Sequence, residues 1–182
     1  MRRTSFANWP CSVARTMDLL GDWWTPLVLR EAFYGIRRFD DFQQELGIAR
    51  NTLSERLRRL VGAGLLEKQV YETQPLRHEY VLTESGRDFH NVLLAMTSWG
   101  DRWLSDESGT PVLTHHETCG HDAHAEVVCS HCRQPMEWAD VTPRPGPGYP
   151  ARLLSRPDIR KRFRLEGAPR DAASDRPTDT RP

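Results

Sequence analysis

The stretch FDDFQQELGIARNTLSERLRRLVGAG, residues 39–64, determines the predicted fold. Its apolar residues recur at three- and four-residue steps in two runs, Phe39, Phe42 and Leu46 followed by Leu53, Leu57 and Leu60. This spacing places each run on one face of an amphipathic helix. Gly47 closes the first helix, and Gly62 and Gly64 end the second. Two helices joined by such a short turn containing glycine are typical of a helix-turn-helix.

Two more helices are predicted before this stretch. The first has one apolar face, made of Val13, Met17 and Leu20, and Gly21 ends it. The second begins at Thr25-Pro26, where the hydroxyl can cap the helix and proline has no N–H to leave unpaired. Its buried face is predicted to contain Val28, Leu29, Ala32 and Phe33, and Gly35 ends it.

A β-hairpin and a long helix are predicted after the stretch. LLEKQVYE and HEYVLT alternate in polarity and carry Val, Tyr and Thr, while TQPLR between them forms the tip. A hairpin directly after a helix-turn-helix makes a winged helix. A helix then runs from Thr83, which can cap it, to about Leu104 with a broad apolar stripe of Phe89, Val92, Leu93, Met96, Trp99 and Trp103. The stripe either covers the domain's own core or forms a dimer interface, and the small core favours the interface.

The second helix of the stretch has the chemistry of a DNA recognition helix. Stepping 100° per residue from its leucines turns a polar set away from the core, Asn51, Ser54, Glu55, Arg58 and Arg59, with Thr52 at the edge. Because the N-terminal part of such a helix reaches base edges, base reading is assigned to Arg50, Asn51, Ser54 and Glu55. Phosphate contacts are assigned to Arg58 and Arg59, and to Arg37 and Arg38 before the third helix. Arg77, at the wing tip, is placed for an adjacent groove or its backbone. The alternative is that these charges only solvate an ordinary helix.

These segments together resemble a known family. GDWWTPLVLREAFYGIRRFDDFQQELGIARNTLSERLRRLVGAGLLEKQVY, then RHEYVLTESGRDF and LLAMTSWGDRW, are similar to the HxlR-type winged-helix transcriptional regulators, which are relatives of the MarR group. The resemblance covers roughly residues 9–104. It implies a homodimer that dimerises through its first and last helices and binds a pseudo-palindromic operator in double-stranded DNA, usually as a repressor.

Cys11, in NWPCSVARTMD, matches a cysteine near the N-terminus that some of these relatives use to sense oxidants or electrophiles such as quinones. Cys11 is predicted in the first turn of a helix, where the positive end of the dipole favours thiolate, and Arg15 lies one turn on. The alternative is that Cys11 is a small buried apolar residue. The identity of any effector is open.

A second motif follows the winged helix, in THHETCGHDAHAEVVCSHCRQP, residues 114–135. His116 and Cys119 have the same two-residue gap as Cys129 and Cys132, and two such pairs in a short span are typical of a zinc ribbon. The sequence therefore predicts a structural Zn²⁺ ion on these four residues. The histidine is the weak point, because His121 or His115, and less readily His131 or His124, could replace His116. Reduced thiols in a loop are the alternative.

The remaining features limit the function. Acidic and basic residues are equal in number, so a DNA-binding prediction must rest on local arrangement. No run of about 18 apolar residues predicts a membrane span, and clustered cysteines suit the reducing cytoplasm. A zinc hydrolase or deaminase is disfavoured because the motif H-x-E with P-C-x-x-C is missing, and so no enzyme is predicted. A protein-interaction adaptor that uses the winged helix and zinc ribbon as docking surfaces stays the alternative.

The predicted fold class is α+β, mainly α. It comprises a winged helix-turn-helix domain with a long C-terminal dimerisation helix at residues 9–104 and a zinc-ribbon-like appendage at 112–142. Residues 144–182 are rich in Pro, Gly, Arg and Asp, and are predicted to be a mostly disordered tail.

Overall fold

The computed structural model describes residues 5–165. The chain divides into two compact units, and the boundary along the chain lies between Met136 and Glu137. In the first unit the helices are α1 (Ser12–Leu20), α2 (Trp24–Phe33), α3 (Phe39–Leu46), α4 (Arg50–Gly62), α5 (Glu84–Asp88) and α6 (His90–Leu104). Its strands are β1 (Leu66–Thr73), β2 (Leu76–Leu82), β3 (His115–His116) and β4 (His121–Asp122).

The helix-turn-helix forms as the sequence predicts. Gly47 ends α3 in the left-handed conformation with a φ of 59°, which glycine adopts at little cost. Ile48 in the turn is buried, and α4 begins two residues later. Both helices turn their apolar faces into one core, whose fully buried side chains include Val28, Leu29, Phe42, Leu53, Leu57, Leu60 and Leu66. The core thereby fixes which face of α4 points outward.

The wing is a two-stranded antiparallel ribbon that is longer than predicted. β1 and β2 pair from Leu66 opposite Leu82 to Thr73 opposite Leu76, so only Gln74 and Pro75 form the tip. The register shifts between Val70 and Glu72. A third extended segment joins the sheet, because the Tyr80 N–H donates to the Arg37 carbonyl at 2.8 Å and Arg38 bridges to Glu79.

The first helices differ in detail from the prediction. Asp22, not Thr25, caps α2, since its carboxylate accepts from the backbone N–H of Trp24 at 2.8 Å and of Thr25 at 3.2 Å. Thr25 is instead fully buried. In α1, which ends at Gly21 as predicted, only Leu20 is buried; Val13 and Met17 are 69% and 50% exposed. Two of the three residues of the predicted apolar face of α1 therefore lie on the surface, and only Leu20 lies in the core.

The helix predicted from Thr83 to Leu104 is divided in two. The Thr83 hydroxyl caps α5 by accepting from the Gly86 N–H at 3.0 Å, as expected. Phe89 separates the two helices. Its N–H is shared between the carbonyls of Ser85 and Gly86, and α6 then begins at His90. Phe89 and Leu93 pack against the core, whereas Val92, Met96, Trp99 and Trp103 of α6 are exposed.

The second unit, from residue 137, contains a 3-10 turn (Trp138–Asp140), α7 (Ala151–Leu154) and α8 (Pro157–Arg162). These short helices lie in the tail predicted to be disordered, which corrects that prediction for residues 151–162. Proline at the start of α8, Asp158 in its first turn and basic residues in its last turn all favour the helix. Ile159 is buried, and the rings of Tyr149 and Phe163 meet edge to face at 5.1 Å. Residues 166–182 of the predicted tail lie outside the described residues.

None of the helices within residues 5–165 combines the length and the apolar character that crossing a membrane requires.

Candidate nucleic-acid interface

The outward face of α4 is polar and open to solvent. Asn51, Ser54, Glu55 and Arg58 are all exposed, and Thr52 is half-buried at the edge, as the helical stepping predicted. These side chains offer amide, hydroxyl, carboxylate and guanidinium groups, which match the donors and acceptors of base pairs in the major groove. The Arg50 side chain leans back over α3, with its guanidinium 4.8 Å from the Phe39 ring and 3.3 Å from the Asp40 carboxylate.

Two arginines of α4 hold the helix in place instead of facing outward. Arg59 is half-buried, and its guanidinium donates to the backbone carbonyl of Asp18 in α1. This corrects the prediction that Arg59 points away from the core. Arg56, which the sequence did not single out, forms an ion pair 2.7 Å from the Asp22 carboxylate, although its N–H is not aligned for a hydrogen bond. Because Asp22 also caps α2, this pair ties α4 to the start of α2.

A second cationic cluster lies beside the wing. The guanidinium of Arg38 lies 4.7 Å from the Tyr71 ring. Arg77, which is in β2 and not at the tip, lies 3.3 Å from the Glu72 carboxylate. The hydrogen bond with Tyr71, followed by the Glu72 charge, raises the pKa of Arg77. Arg38, Tyr71 and Arg77 line one shallow pocket together with Phe39, Asp40, Asp41, Arg50 and His78.

Sequence reasoning missed Tyr71 as the link between Arg38 and Arg77. The alternation of β1 does not reveal the register shift beside Tyr71, so the contacts of this side chain with two arginines were not foreseeable. Arg37 is exposed at the start of the same sheet. The structure thus brings the outward face of α4 and the arginines of the wing region onto one helix-turn-helix unit, joined through Arg50 and Phe39.

Comparison with known proteins agrees with this architecture. The model of the family described as HxlR-like helix-turn-helix matches residues 19–108. The HTH-type transcriptional regulator Rv3095 of Mycobacterium tuberculosis is 46% identical over 144 residues, which are 79% of this chain and 91% of that protein. The chain belongs to the HxlR-like helix-turn-helix family. Its relatives include a second HTH-type transcriptional regulator, sll1512 of Synechocystis, with 42% identity over 54% of this chain and 73% of that one.

Two solved structures of candidate transcription factors share the fold of this HxlR-like chain. PA1607 matches with a TM-score of 0.68 and 33% identity, over 76% of this chain and 96% of that one. PA1374 from Pseudomonas aeruginosa matches with a TM-score of 0.55 and 36% identity, over 84% of this chain and 99% of that one. The match to Rv3095 spans 144 of the 182 residues of this chain. Whether the match begins at residue 1 or as late as residue 39, it includes residues 39–144. The similarity to Rv3095 therefore extends beyond the winged helix into the segment rich in cysteine and histidine.

Two faces of this HxlR-like protein are apolar and exposed. On α1 the face contains Val13 and Met17. On α6 it contains Val92, Met96, Trp99 and Trp103, of which the two tryptophans are about 60% exposed. Each face presents more large apolar side chains than a solvated helix needs. Cys11 is also exposed and lies at the N-cap position of α1, with extended backbone.

The predicted metal-binding residues occupy two hairpins. His116 Nδ1 lies 3.2 Å from Cys119 Sγ, in the turn between β3 and β4. Cys129 and Cys132 share a second turn, in which hydrogen bonds from the Cys132 and His131 N–H groups, and then from the Cys132 thiol, lower the pKa of the Cys129 thiol. Within residues 5–165, no three His, Cys, Asp or Glu side chains converge closely enough to hold a metal ion. The structure therefore forms each pair but does not bring the two pairs together.

Proposed function

We propose that this HxlR-like protein is a sequence-specific repressor of transcription that binds a pseudo-palindromic operator in double-stranded DNA as a homodimer. The outward face of α4 is the observation that carries the proposal. Asn51, Ser54, Glu55 and Arg58 stand exposed on a helix whose opposite face is fixed by three fully buried leucines. A rigid support of this kind is what base reading requires, because the side chains must meet base edges at hydrogen-bond distances.

The contacts divide by chemistry. Asn51, Ser54 and Glu55, near the start of α4, read base edges, and Thr52 supports them from the edge. Arg58 and the arginines beside the wing, Arg37, Arg38 and Arg77, contact phosphates. Arg50 is held by Asp40 and Phe39 and exchanges these contacts for the DNA backbone or a base. Arg59 keeps its structural contact with α1 and takes no part in this interface.

The dimer follows from the exposed faces of α1 and α6. An operator built of two inverted half-sites needs two recognition helices about one DNA turn, roughly 34–36 Å, apart. A single chain supplies one such helix. A symmetric pair that buries the apolar side chains of α1 and α6 supplies the second and removes the tryptophans from water.

Selection of binding sites from random duplex DNA tests this function. The purified protein should enrich an inverted repeat with half-sites about ten base pairs apart, or a multiple of that distance. The same repeat is expected near promoters that the protein represses. Failure to enrich any sequence, with a folded protein that binds DNA weakly and without preference, would contradict the proposal and favour a protein-interaction adaptor.

A further inference from the structure

The segment rich in cysteine and histidine contains the same backbone turn twice. In the first turn the N–H groups of Cys119 and Gly120 donate to the His116 carbonyl at 3.1 and 2.8 Å, and Gly120 has a φ of 69°. In the second, the Arg133 N–H donates to the Cys129 carbonyl at 2.9 Å, and Arg133 has a φ of 63°. Each turn therefore has a left-handed residue directly after its second metal-binding side chain.

Arg133 adopts the left-handed conformation although it is not a glycine. A residue with a Cβ is disfavoured in this conformation, whereas the glycine at the corresponding position of the first turn is not. Extended backbone flanks both turns. His115 pairs with Asp122 and His116 with His121 around the first, and Val128 bridges to Pro135 around the second. Two hairpins of one form, each ending in a pair of metal-binding side chains, make up the two halves of a zinc ribbon.

The spacing of the first pair suits zinc. A tetrahedral Zn²⁺ ion holds nitrogen at about 2.1 Å and sulfur at about 2.3 Å, which places the two ligand atoms about 3.6 Å apart. His116 Nδ1 and Cys119 Sγ are 3.2 Å apart, so a small separation of the side chains admits the ion.

The segment holds its shape by hydrogen bonds and not by a buried core. From residue 105 to residue 136 the structure describes no buried side chain. The Ala125 N–H donates to the Ser98 hydroxyl at 2.9 Å, which ties the segment to α6. A segment of this length that buries no apolar side chain gains little from packing, and a bound metal is a common substitute for a core.

We infer that His116, Cys119, Cys129 and Cys132 close on one Zn²⁺ ion within a single chain. Three thiolates and one imidazole fill the tetrahedral shell and leave no place for a water molecule, so the ion is structural and not catalytic. Binding draws the two hairpins together from the separated pairs that the structure shows.

His116 is the histidine ligand in this proposal, and the side chains of three other histidines of the segment, His115, His121 and His124, have other contacts. Nδ1 of His115 lies 2.9 Å from the Asp122 carboxylate, and Nδ1 of His121 lies 2.6 Å from the Cys119 carbonyl. His124 lies 3.5 Å from the Glu126 carboxylate. His121 is the closest competitor, because it faces His116 across the hairpin and its Nε2 atom is not used by the contact with Cys119.

Metal analysis of protein purified without a histidine tag tests the inference. We expect one zinc per chain, and we expect Co²⁺ substituted for zinc to give the visible absorption of a tetrahedral thiolate site. Cys119→Ser, Cys132→Ser and His116→Ala should each lose most of the metal. His121→Ala and His131→Ala are matched controls from the same two turns, and should keep it.

Circular dichroism of each variant establishes that α1 to α6 remain folded, so that metal loss is not read from an unfolded chain. Zinc well below one per chain in the wild type would overturn the inference, and so would one ion shared by two chains. If Cys119→Ser kept its zinc while Cys132→Ser lost it, Cys119 would not be a ligand, and the proposed set of four ligands would be wrong. Loss of zinc in His121→Ala but not in His116→Ala would show that His121 is the ligand, and would contradict the assignment of His116.

Discussion

At the scale of single residues, the arginines of α4 show how far a helical pattern can be read. Stepping around the helix correctly placed Asn51, Ser54, Glu55 and Arg58 on the surface, because the leucines of the same helix fix its orientation. It failed for Arg59, whose long side chain reaches back to the Asp18 carbonyl. A periodicity argument gives the direction of a Cβ atom, and a flexible side chain can return to the core from that position.

Gly86 is a residue whose importance only the structure reveals. A Cβ atom added at Gly86 would lie 2.0 Å from the Leu65 carbonyl oxygen, which belongs to backbone and cannot move aside as a side chain would. We expect Gly86→Ala to destabilise the protein by about 1–3 kcal/mol or more, although alanine favours helix. Thermal unfolding measures the effect. Gly62→Ala, at a helical glycine with open space around it, is the control and should be neutral or slightly stabilising.

Cys11 carries a separate prediction, which rests on the resemblance to relatives that sense electrophiles. The thiol is exposed beside the apolar face of α1, so oxidation or addition there would place a bulky group at the proposed dimer interface. We expect diamide to weaken operator binding several-fold in the wild type and to have little effect in Cys11→Ser. Binding titrations with and without diamide measure this. Equal loss of binding in the wild type and in Cys11→Ser would show that Cys11 does not sense the oxidant.

At the scale of elements, the sequence predicts the helix-turn-helix and the wing well, and the helix ends less well. Strong periodicity and glycine at each boundary define α3 and α4, whereas the break at Phe89 has no such signal. α6 remains amphipathic across the break. Two residues of the predicted apolar stripe, Phe89 and Leu93, pack on the core, and the larger part of the stripe is exposed. The sequence alone does not show which residues of the stripe belong to which group.

The exposed set on α6 predicts the effect of a charge at Trp99. This side chain is 60% exposed in the single chain, and Trp99→Glu should place an unpaired charge in the proposed interface. We expect the variant to be a monomer by light scattering after gel filtration and to bind the operator at least tenfold more weakly. Trp138→Glu, at a tryptophan that is 91% exposed in the second unit, is the matched control. A dimer that survives Trp99→Glu would place the interface elsewhere.

At the scale of the whole molecule, the chain combines a winged helix-turn-helix with a segment, residues 105–136, in which no side chain is buried. The winged helix could be predicted from the sequence because three independent signals agree. These signals are the apolar periodicity, the placement of glycines and the hairpin pattern. The prediction of a disordered tail was wrong where α7 and α8 form. The polar composition of the tail does not reveal that a few apolar residues, such as Ile159 and Tyr149, make contacts that support these helices. The sequence predicts one Zn²⁺ ion shared by the two pairs of side chains, and this stays a prediction, because spacing does not show whether the two hairpins meet.

The most direct test of the central claim is the affinity of Asn51→Ala for the selected operator and for a scrambled duplex, measured by fluorescence anisotropy. Loss of a base contact should weaken operator binding by about 1–3 kcal/mol, roughly 5- to 150-fold, and should leave binding to the scrambled duplex nearly unchanged. Arg152→Ala removes an exposed arginine of α7, which is not assigned to the proposed interface, and should match the wild type on both duplexes. An unchanged operator affinity in a folded Asn51→Ala protein would contradict the assignment of sequence reading to α4.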